Sequence, residues 1–325
     1  MRFPVGHRGD AGGTVIARQA AFEILAVSRD VLGEGPWWSV ADQTLTWVDI
    51  RGHRVRRSDL AAAGEAEWHT PSDVGFAVPG ASGQILLGLR GGLFWLNPKS
   101  GTIYLDTELP ELGADHRLND GKTDRFGRVW FGSMHDAETE ATACLYRYDR
   151  SGVQTILPGI TTSNGLGWSP DDSVMYHTDS MARRIMSYEF DAESGRISGG
   201  RVFAEDPAGY VPDGLTVDAE GFLWSAKWDG GKIVRYAPDG RLVLELEFPV
   251  LRPTSCMFVG PDLRTLAITS AFSDRDDTAG MRLAGSVFLL DVGVQGLPEH
   301  PALLRNPAVS HAERPAARRS LPSNS

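Results

Sequence analysis

The chain has 325 residues, 42% of them hydrophobic, so it can bury a large core in one large β domain or in two smaller domains. Its formal net charge is -10 and no run of Lys or Arg occurs, which argues against nucleic acids and anionic membranes as partners. The two cysteines, Cys144 and Cys256, lie far apart outside any Cys/His cluster, so the sequence indicates neither a disulfide framework nor a structural zinc site.

The two ends of the chain differ in composition from its middle. Residues 1–20 are rich in Gly and Arg and show no periodicity, which predicts a flexible N-terminal arm. The stretch from Thr14 to Val27 is interrupted by polar and charged residues, so it lacks the apolar core of a signal peptide, and we expect a cytoplasmic protein. Residues 301–325 are dominated by Pro, Ala, Arg and Ser, which predicts a disordered tail after an ordered domain over 21–300.

Within the predicted domain, short apolar strands alternate with Gly, Pro, Asp and Asn turns, which predicts an all-β fold. A turn followed by an apolar strand recurs at intervals of roughly 40 to 50 residues, which is the period of a four-stranded propeller blade. The turn residues are Asp42, Gly83, Gly127, Asp172, Gly221 and Asp262. We therefore expect a six-bladed β-propeller with four antiparallel strands per blade. Because an open ring would leave strand edges exposed, the strand from Phe22 to Val27 is expected to pair with Gly285 to Leu290 and close the ring.

Several polar residues share one position in this repeat. Eight residues before the six turns stand Glu34, Gly75, Asn119, Asn164, Asp213 and Thr254. Equivalent positions at the start of a propeller's innermost strands face the central channel, so the acids and amides among them are predicted to surround one axis. Buried carboxylates need a compensating cation, and carboxylate and amide oxygens suit calcium, magnesium or manganese, with zinc less natural without His or Cys. Taken singly, Asn164-Gly165 and Pro212-Asp213-Gly214 are also ordinary turn sequences, and only the shared phase favours a metal site.

Five motifs follow one another in an order that is typical of one enzyme family. They are Leu32-Gly33-Glu34-Gly35-Pro36 with Trp38, RLNDGKTD with GRVWFGSM, SNGLGWSPDD, PDGLTVDAEGFLW and PTSCMF. With these motifs the chain resembles the senescence marker protein 30, gluconolactonase and regucalcin-like lactonases over nearly the whole predicted domain. Members of that family are six-bladed propellers that hydrolyse sugar lactones with one divalent cation. The resemblance implies the same fold, activity and cofactor here.

The resemblance also implies roles for individual residues. Glu34, Asn164 and Asp213 correspond to the three metal ligands of the family, and Asp213 is also the expected general base. Arg117 and Asn119 correspond to residues that hold sugar hydroxyls or lactone oxygens. Asn119, which the repeat alone would group with the ligands, is therefore expected to contact substrate.

The chain departs from its relatives in the loop after GRVWFGSM. Where some relatives place a substrate-binding Glu, this chain has Ala137, flanked by Asp136 and Glu138. We take both acids as candidate substrate-binding residues. The long loops at about 134–143 and 273–284 are expected to form the wall of the pocket, because long loops on a rigid scaffold tend to determine specificity.

Together these features predict a metal-dependent carboxylic ester hydrolase that opens an aldonolactone to the aldonic acid, with a gluconolactone or pentonolactone as substrate. Asp213 or the metal would activate the attacking water. Two alternatives stay open: a phosphotriesterase or acyl-homoserine lactonase on the same scaffold, and a non-enzymatic calcium-binding or protein-docking propeller. No serine lies in a Gly-x-Ser-x-Gly context, which disfavours a serine hydrolase.

Overall fold

The computed structural model describes residues 15–62, 64–276 and 278–304. Their strands form six separate sheets, each with four neighbouring antiparallel strands that follow one another from the inside of the ring outwards. Among these residues helix is limited to one short α-helix and one 3-10 turn. The predicted all-β, six-bladed β-propeller is thus confirmed. No described helix is long and apolar enough to cross a membrane.

The first half of the chain forms two N-terminal strands and three blades. The N-terminal strands are β1 (Ile16–Gln19) and β2 (Glu23–Ala26). Blade 1 comprises β3 (Gly33–Ser39), β4 (Thr44–Asp49), β5 (Arg54–Asp59) and β6 (Ala66–His69). Blade 2 comprises β7 (Val74–Pro79), β8 (Ile85–Leu89), β9 (Gly92–Leu96) and β10 (Ile103–Glu108), followed by the 3-10 turn Pro110–Leu112. Blade 3 comprises β11 (His116–Thr123), β12 (Val129–His135), β13 (Ala143–Asp149) and β14 (Gly152–Ile160).

The second half forms the other three blades. Blade 4 comprises β15 (Ser163–Trp168), β16 (Val174–Asp179), β17 (Arg184–Asp191) and β18 (Arg196–Glu205). Blade 5 comprises β19 (Val211–Val217), β20 (Leu223–Trp228), β21 (Lys232–Tyr236) and β22 (Leu242–Glu247). Blade 6 comprises β23 (Pro253–Val259), β24 (Thr265–Ser270) and β25 (Val287–Asp291), with the helix α1 (Thr278–Leu283) before its third strand.

The outer strand of blade 6 comes from the other end of the chain. Strand β2 pairs antiparallel with β25, with Glu23 opposite Leu289 and Ile24 opposite Phe288. The pairing predicted for these two segments is therefore present. Strand β1, which lies within the predicted arm, pairs in parallel with β22 at the outside of blade 5. The rest of that arm, 1–14, and the tail from 305 onwards lie outside the described residues, so arm and tail remain predictions there.

In three blades a buried acid connects neighbouring strands of the same sheet. In blades 1, 3 and 5 one Asp accepts hydrogen bonds from a Trp indole Nε1 and an Arg Nε, all between 2.6 and 2.9 Å long. These acids are Asp30, Asp124 and Asp218, which are at most 1% exposed. Each carboxylate therefore has a cationic and a neutral hydrogen-bond donor, which offset the cost of burying a charge.

The segment that follows β25 crosses the ring at the end where the innermost strands finish. We call residues 294–304 the base segment. Gly296 bridges Asp218 of blade 5, and its N–H donates to the Leu263 carbonyl of blade 6 at 2.8 Å. Further along, Ala302 bridges Gly80 of blade 2 and is only 2% exposed. The base segment therefore covers one end of the central channel.

Candidate active site

The four polar residues predicted to face the channel lie around one cavity at the uncovered end. Glu34 is in β3, Asn119 in β11, Asn164 in β15 and Asp213 in β19, and all four line a cavity of about 310 Å³. Each is between 4% and 6% exposed. The repeat in the sequence therefore brought together residues that are far apart along the chain.

A β-bulge explains why mainly apolar strands present polar side chains here. In all six blades the register between the innermost strand and its neighbour shifts at or directly beside the repeat position. A bulge bends the strand and redirects the side chain at that point, and bulges are common next to active sites. The fixed spacing between bulge and turn is what the eight-residue count detected.

The other two repeat positions serve packing. A Cβ on Gly75 would lie 2.4 Å from the carbonyl oxygens of Leu118 and Asn119, so no other residue fits where β7 meets β11. The hydroxyl of Thr254 donates to the Gly33 carbonyl at 2.5 Å and thereby joins blade 6 to blade 1. Only the remaining four positions are available for chemistry.

Glu34 and Asp213 are the two carboxylates of the cavity floor, and among the described residues neither forms an ion pair or a hydrogen bond with a cationic side chain. Glu34 Oε2 accepts only the N–H of Gly35, at 3.1 Å. Asp213 Oδ1 is buried and has no hydrogen-bond partner. Burial raises the pKa of both carboxyl groups, and the charge of Asp120 raises the pKa of both further. As Glu34 also raises the pKa of Asp213, the two groups would be unfavourable as a bare pair of anions.

Asn164 completes a set of oxygen donors with these two acids. Its Nδ2 donates to Ser180 Oγ at 3.2 Å, and its Oδ1 has only a long contact of 3.3 Å with the N–H of Gly165. The amide oxygen and the unpartnered Asp213 Oδ1 are therefore available to a cation. Two carboxylates and one amide oxygen fit a hard divalent ion such as calcium, magnesium or manganese. Within the described ranges there is no group of three or more His, Cys, Asp or Glu residues that could hold a metal.

Asn119 differs from Asn164 because both ends of its side chain are occupied. Its Oδ1 accepts from Arg117 Nη1 at 2.7 Å, and its Nδ2 donates to the Ser163 carbonyl at 2.9 Å. The side chain therefore holds the arginine in place, and the guanidinium beside its oxygen disfavours a second cation there. The contact of Asn119 with substrate remains a prediction.

Arg117 is a buried cation on the cavity wall. Its Nη1 also donates to the Leu118 carbonyl at 3.1 Å, whereas its Nε is buried without a partner. Burial lowers the pKa of Arg117 to about 10, so the guanidinium remains charged at neutral pH. A fixed guanidinium with an unused N–H group can donate to hydroxyl or carboxylate oxygens of a bound molecule.

The two acids after β12 are separated by the structure. Glu138 lines the cavity, and desolvation raises the pKa of its carboxyl group while Arg117 lowers it. Asp136 is absent from the cavity lining, and both of its oxygens accept from Arg90, at 3.0 and 3.1 Å. Only Glu138 of this pair is therefore placed to contact a molecule in the cavity.

Arg90 connects three segments beside the cavity, and no motif in the sequence marked it. Besides Asp136 it contacts Asp73, through Nη2 at 3.0 Å, and the backbone carbonyls of Ala114 and His116, at 3.2 and 2.9 Å. It therefore links blade 2 to the start of β11 and to the loop that carries Glu138. Its position in a turn between β8 and β9 gave no local signal of this role.

The wall from blades 4 and 5 was also missed in the sequence. It lies in the segments just before β15 and β19 and just after β16 and β20. Its residues include Thr162, Ser180, Met181, Arg183, Tyr210, Trp228 and Asp229. The same end of each blade supplies Arg117 and Glu138 in blade 3, so applying the repeat to these flanking segments would have found them.

Of the two loops expected to form the wall, only the first contributes directly. Met134 and Glu138 come from it, whereas none of the described residues of 273–284 lines the cavity. Arg275 of the second loop forms an ion pair with Asp229 and so reaches the cavity only through that residue.

Comparisons with known proteins agree with this architecture. Residues 32–272 match the sequence model of the SMP-30/gluconolactonase/LRE-like region. The chain is 35% identical to a 6-deoxy-6-sulfogluconolactonase from Pseudomonas putida over 83% of this chain and 94% of that protein. It is 34% identical to a pentonolactonase from Haloferax volcanii, over 82% of this chain and 93% of that protein.

Solved structures lead to the same family. The crystal structure of a calcium-binding protein, regucalcin, from Agrobacterium tumefaciens superimposes with a TM-score of 0.84 at 28% identity. The match covers 90% of this chain and 100% of the regucalcin chain. The family match spans the first five blades and the inner strands of the sixth, including every residue of the cavity floor. The chain therefore belongs to the SMP-30/gluconolactonase/LRE-like family.

Proposed function

We propose that this protein is a carboxylic ester hydrolase that opens a sugar lactone to the corresponding aldonic acid with the help of one divalent cation. The observation that carries the proposal is the pair of buried, uncompensated carboxylates, Glu34 and Asp213, beside the free amide oxygen of Asn164. The similarity to a sulfogluconolactonase and a pentonolactonase supports the same class of substrate. Glu34, Asn164 and Asp213 hold the cation.

The cation, when bound, compensates the two acids and polarises the lactone carbonyl as a Lewis acid. The carboxylate of Asp213, which forms no ion pair with a described residue, accepts a proton from the attacking water through the oxygen that is not used for the cation. As the bond between the carbonyl carbon and the ring oxygen breaks, the same carboxylate returns the proton to the ring oxygen, which leaves as a hydroxyl group. Water is thereby consumed and one aldonic acid is formed.

The residues on the blade 3 wall orient the sugar. Arg117 donates from its free N–H groups to substrate oxygens, and Asn119 keeps the guanidinium in position through the 2.7 Å hydrogen bond. Glu138 accepts from sugar hydroxyls. A wall with a buried guanidinium and a carboxylate favours a hydroxyl-rich substrate over an apolar ester, since polar groups left unpaired on binding would lower affinity.

A hydrolysis screen tests the proposal. Protein stripped with a chelator is assayed by pH indicator against five- and six-carbon aldonolactones, with calcium, magnesium, manganese or zinc added back singly. Paraoxon and an acyl-homoserine lactone serve as comparison substrates. We expect cation-dependent hydrolysis of at least one aldonolactone and little hydrolysis of the two apolar compounds.

Two results would contradict the proposal. Saturable cation binding without hydrolysis of any aldonolactone would indicate a binding protein. Faster turnover of paraoxon or of the acyl-homoserine lactone would indicate a different esterase on the same scaffold.

A further inference from the structure

The turns between the second and third strands of four blades share one backbone feature. In blades 1, 2, 4 and 5 the residue directly before the third strand has left-handed φ: His53 at 54°, Gly91 at 88°, Arg183 at 56° and Gly231 at 56°. These turns all lie at the cavity end of the propeller. The side chains at this shared position can therefore be compared directly.

Arg183 is the one of these side chains that lacks a partner among the described residues. His53 Nε2 lies 3.0 Å from Asp73 Oδ1, and the residues at this position in blades 2 and 5 are glycines. In Arg183 only the backbone is engaged: its N–H donates to the Ser180 carbonyl and its carbonyl accepts from the Asp206 N–H, both at 2.8 Å. The turn is therefore fixed while its guanidinium is left free.

This free guanidinium lines the cavity next to the proposed reaction centre. Ser180, three residues earlier in the same turn, accepts a hydrogen bond from Asn164 Nδ2. One tight turn therefore connects Arg183 to Asn164 of the cavity floor, through Ser180. On the blade 3 side the guanidinium of Arg117 is already hydrogen-bonded to Asn119 and lies near the Glu138 carboxylate.

Among the charged residues that line the cavity, one cation is left without a counterion. With Glu34 and Asp213 compensated by the cation, Glu138 faces Arg117, and Asp229 is paired with Arg252 and Arg275. Arg183 is then the cation of the lining without a counterion in the described part of the chain. Guanidinium groups form charge-assisted, often bidentate hydrogen bonds with carboxylate, phosphate and sulfonate oxygens.

We infer that Arg183 determines specificity by binding an anionic group on the terminal carbon of the substrate, so that the preferred lactones are anionic sugar lactones. The inference rests on the proposed function and adds to it the substrate class and the residue that selects it. The reacting carbonyl lies over Asp213 and Asn164, and the terminal substituent reaches the blade 4 turn.

Two lactones with the same five-membered ring test this directly. D-glucaro-1,4-lactone carries a terminal carboxylate, whereas D-glucono-1,4-lactone carries a terminal hydroxymethyl group. We expect the wild type to prefer the anionic lactone in kcat/KM, and the preference to weaken as salt is added. Arg183→Gln should lose about tenfold or more in kcat/KM for the anionic lactone, mainly through KM, because a charge-assisted hydrogen bond is removed. Its activity on the neutral lactone should stay within about twofold.

Two variants control the experiment. Arg184→Gln removes the same charge from the neighbouring exposed residue, which is absent from the cavity lining, and should preserve the preference. Arg183→Lys should retain part of it. An equal loss of kcat/KM on both lactones in Arg183→Gln would overturn the inference but leave the proposed function standing. A wild type that prefers the neutral lactone would have the same consequence. Hydrolysis of neither lactone by the wild type, in a screen that also fails with all other aldonolactones, would overturn the proposed function and the inference together.

Discussion

The two ends of the central channel contain the same kinds of charged residue in opposite states. At the base, a second cavity of about 200 Å³ contains Lys122, whose Nζ lies 3.0 Å from Glu299 Oε1 of the base segment. Arg125 beside it pairs with Asp172 at 2.8 Å. At the mouth, Glu34 and Asp213 form no ion pair with any described residue. Polarity alone therefore does not distinguish the two ends, but compensation of charge does.

This difference identifies the end at which the fold tolerates a cost for the sake of function. A buried, ionised acid without a partner destabilises a protein by about several kcal/mol. A ligand that supplies the missing positive charge removes this cost. The base needs no such ligand because the chain supplies its own counterions. Substitutions at the mouth should therefore change activity and cation binding, whereas substitutions at the base should change stability alone.

The largest effect is expected from Asp213→Asn, which keeps the shape of the side chain and removes its charge. We expect turnover of aldonolactones to fall by about 10³-fold or more, with loss of bound cation, since both the proton acceptor and one ligand are removed. The cation-free variant should nevertheless be more stable than the cation-free wild type, because one of two repelling acids is gone. Initial rates, metal analysis and urea unfolding measure the three quantities. Near-normal rates would contradict the assignment of Asp213.

Next in size is the pH dependence of the cation-free protein. The pKa values of Glu34 and Asp213 are raised in the folded protein, so above about pH 4 the folded chain binds more protons than the unfolded chain. The free energy of unfolding should therefore fall, by roughly 1–3 kcal/mol, as pH rises from about 4 through the raised pKa values. Added cation should flatten this decline, and Asp213→Asn should reduce it. A pH profile that is the same with and without cation would contradict a cation site at these acids.

A third experiment breaks the pair at the base. Glu299→Gln leaves the nearly buried Lys122 ammonium without its counterion, so we expect a loss of about 2 kcal/mol in the free energy of unfolding. The kinetic constants should change by less than about twofold, since the base pair takes no part in the proposed chemistry. Arg125→Gln is the control, because its more exposed pair should be worth about 1 kcal/mol or less. A large kinetic effect of Glu299→Gln would show that the two ends are coupled.

The smallest effect should come from a residue that orders the mouth without touching substrate. Arg90→Gln releases the Asp136 side chain and the backbone at the start of β11, so the loop that carries Glu138 keeps only its backbone hydrogen bonds. We expect kcat/KM to fall by about tenfold, mainly through KM, with the pH profile unchanged. Arg51→Gln, which also contacts Asp73 but not Asp136, is the matched control. Equal losses in the two variants would assign the effect to Asp73 instead.

The sequence predicted the fold and the cavity floor because both depend on a repeat. The bulge at Asn164 and Asp213 stands at a constant distance from the following turn, so counting located these residues without any knowledge of contacts between blades. Arg90 and Arg183 were not predicted, since their importance depends on which blades meet at the mouth. For Asp136 and Glu138, two residues apart, only the loop conformation and the partner Arg90 decide which one faces the cavity.

The base segment shows a different limit of sequence reasoning. Its sequence contains two prolines and has no strand period. It is held by backbone hydrogen bonds to several blades, such as that between the N–H of Leu303 and the Gly127 carbonyl at 2.9 Å. Backbone groups carry no mark in the sequence, so residues 301–304 were placed in the predicted tail although they contact blades 2 and 3. The match to the family model likewise ends before this segment, at residue 272.

The pairing of β2 with β25 also determines the order in which the ring can be completed. The hydroxyl of Ser28 donates to the carbonyl of Gly285, a contact between residues 257 positions apart. During synthesis β2 is made among the first strands, yet its partner emerges only after five blades have left the ribosome. Until then β2 has no strand to pair with in its sheet, and long-range closure of this kind is slow compared with local pairing. Refolding should therefore pass through a species in which earlier blades are protected from hydrogen exchange while the sixth is still open.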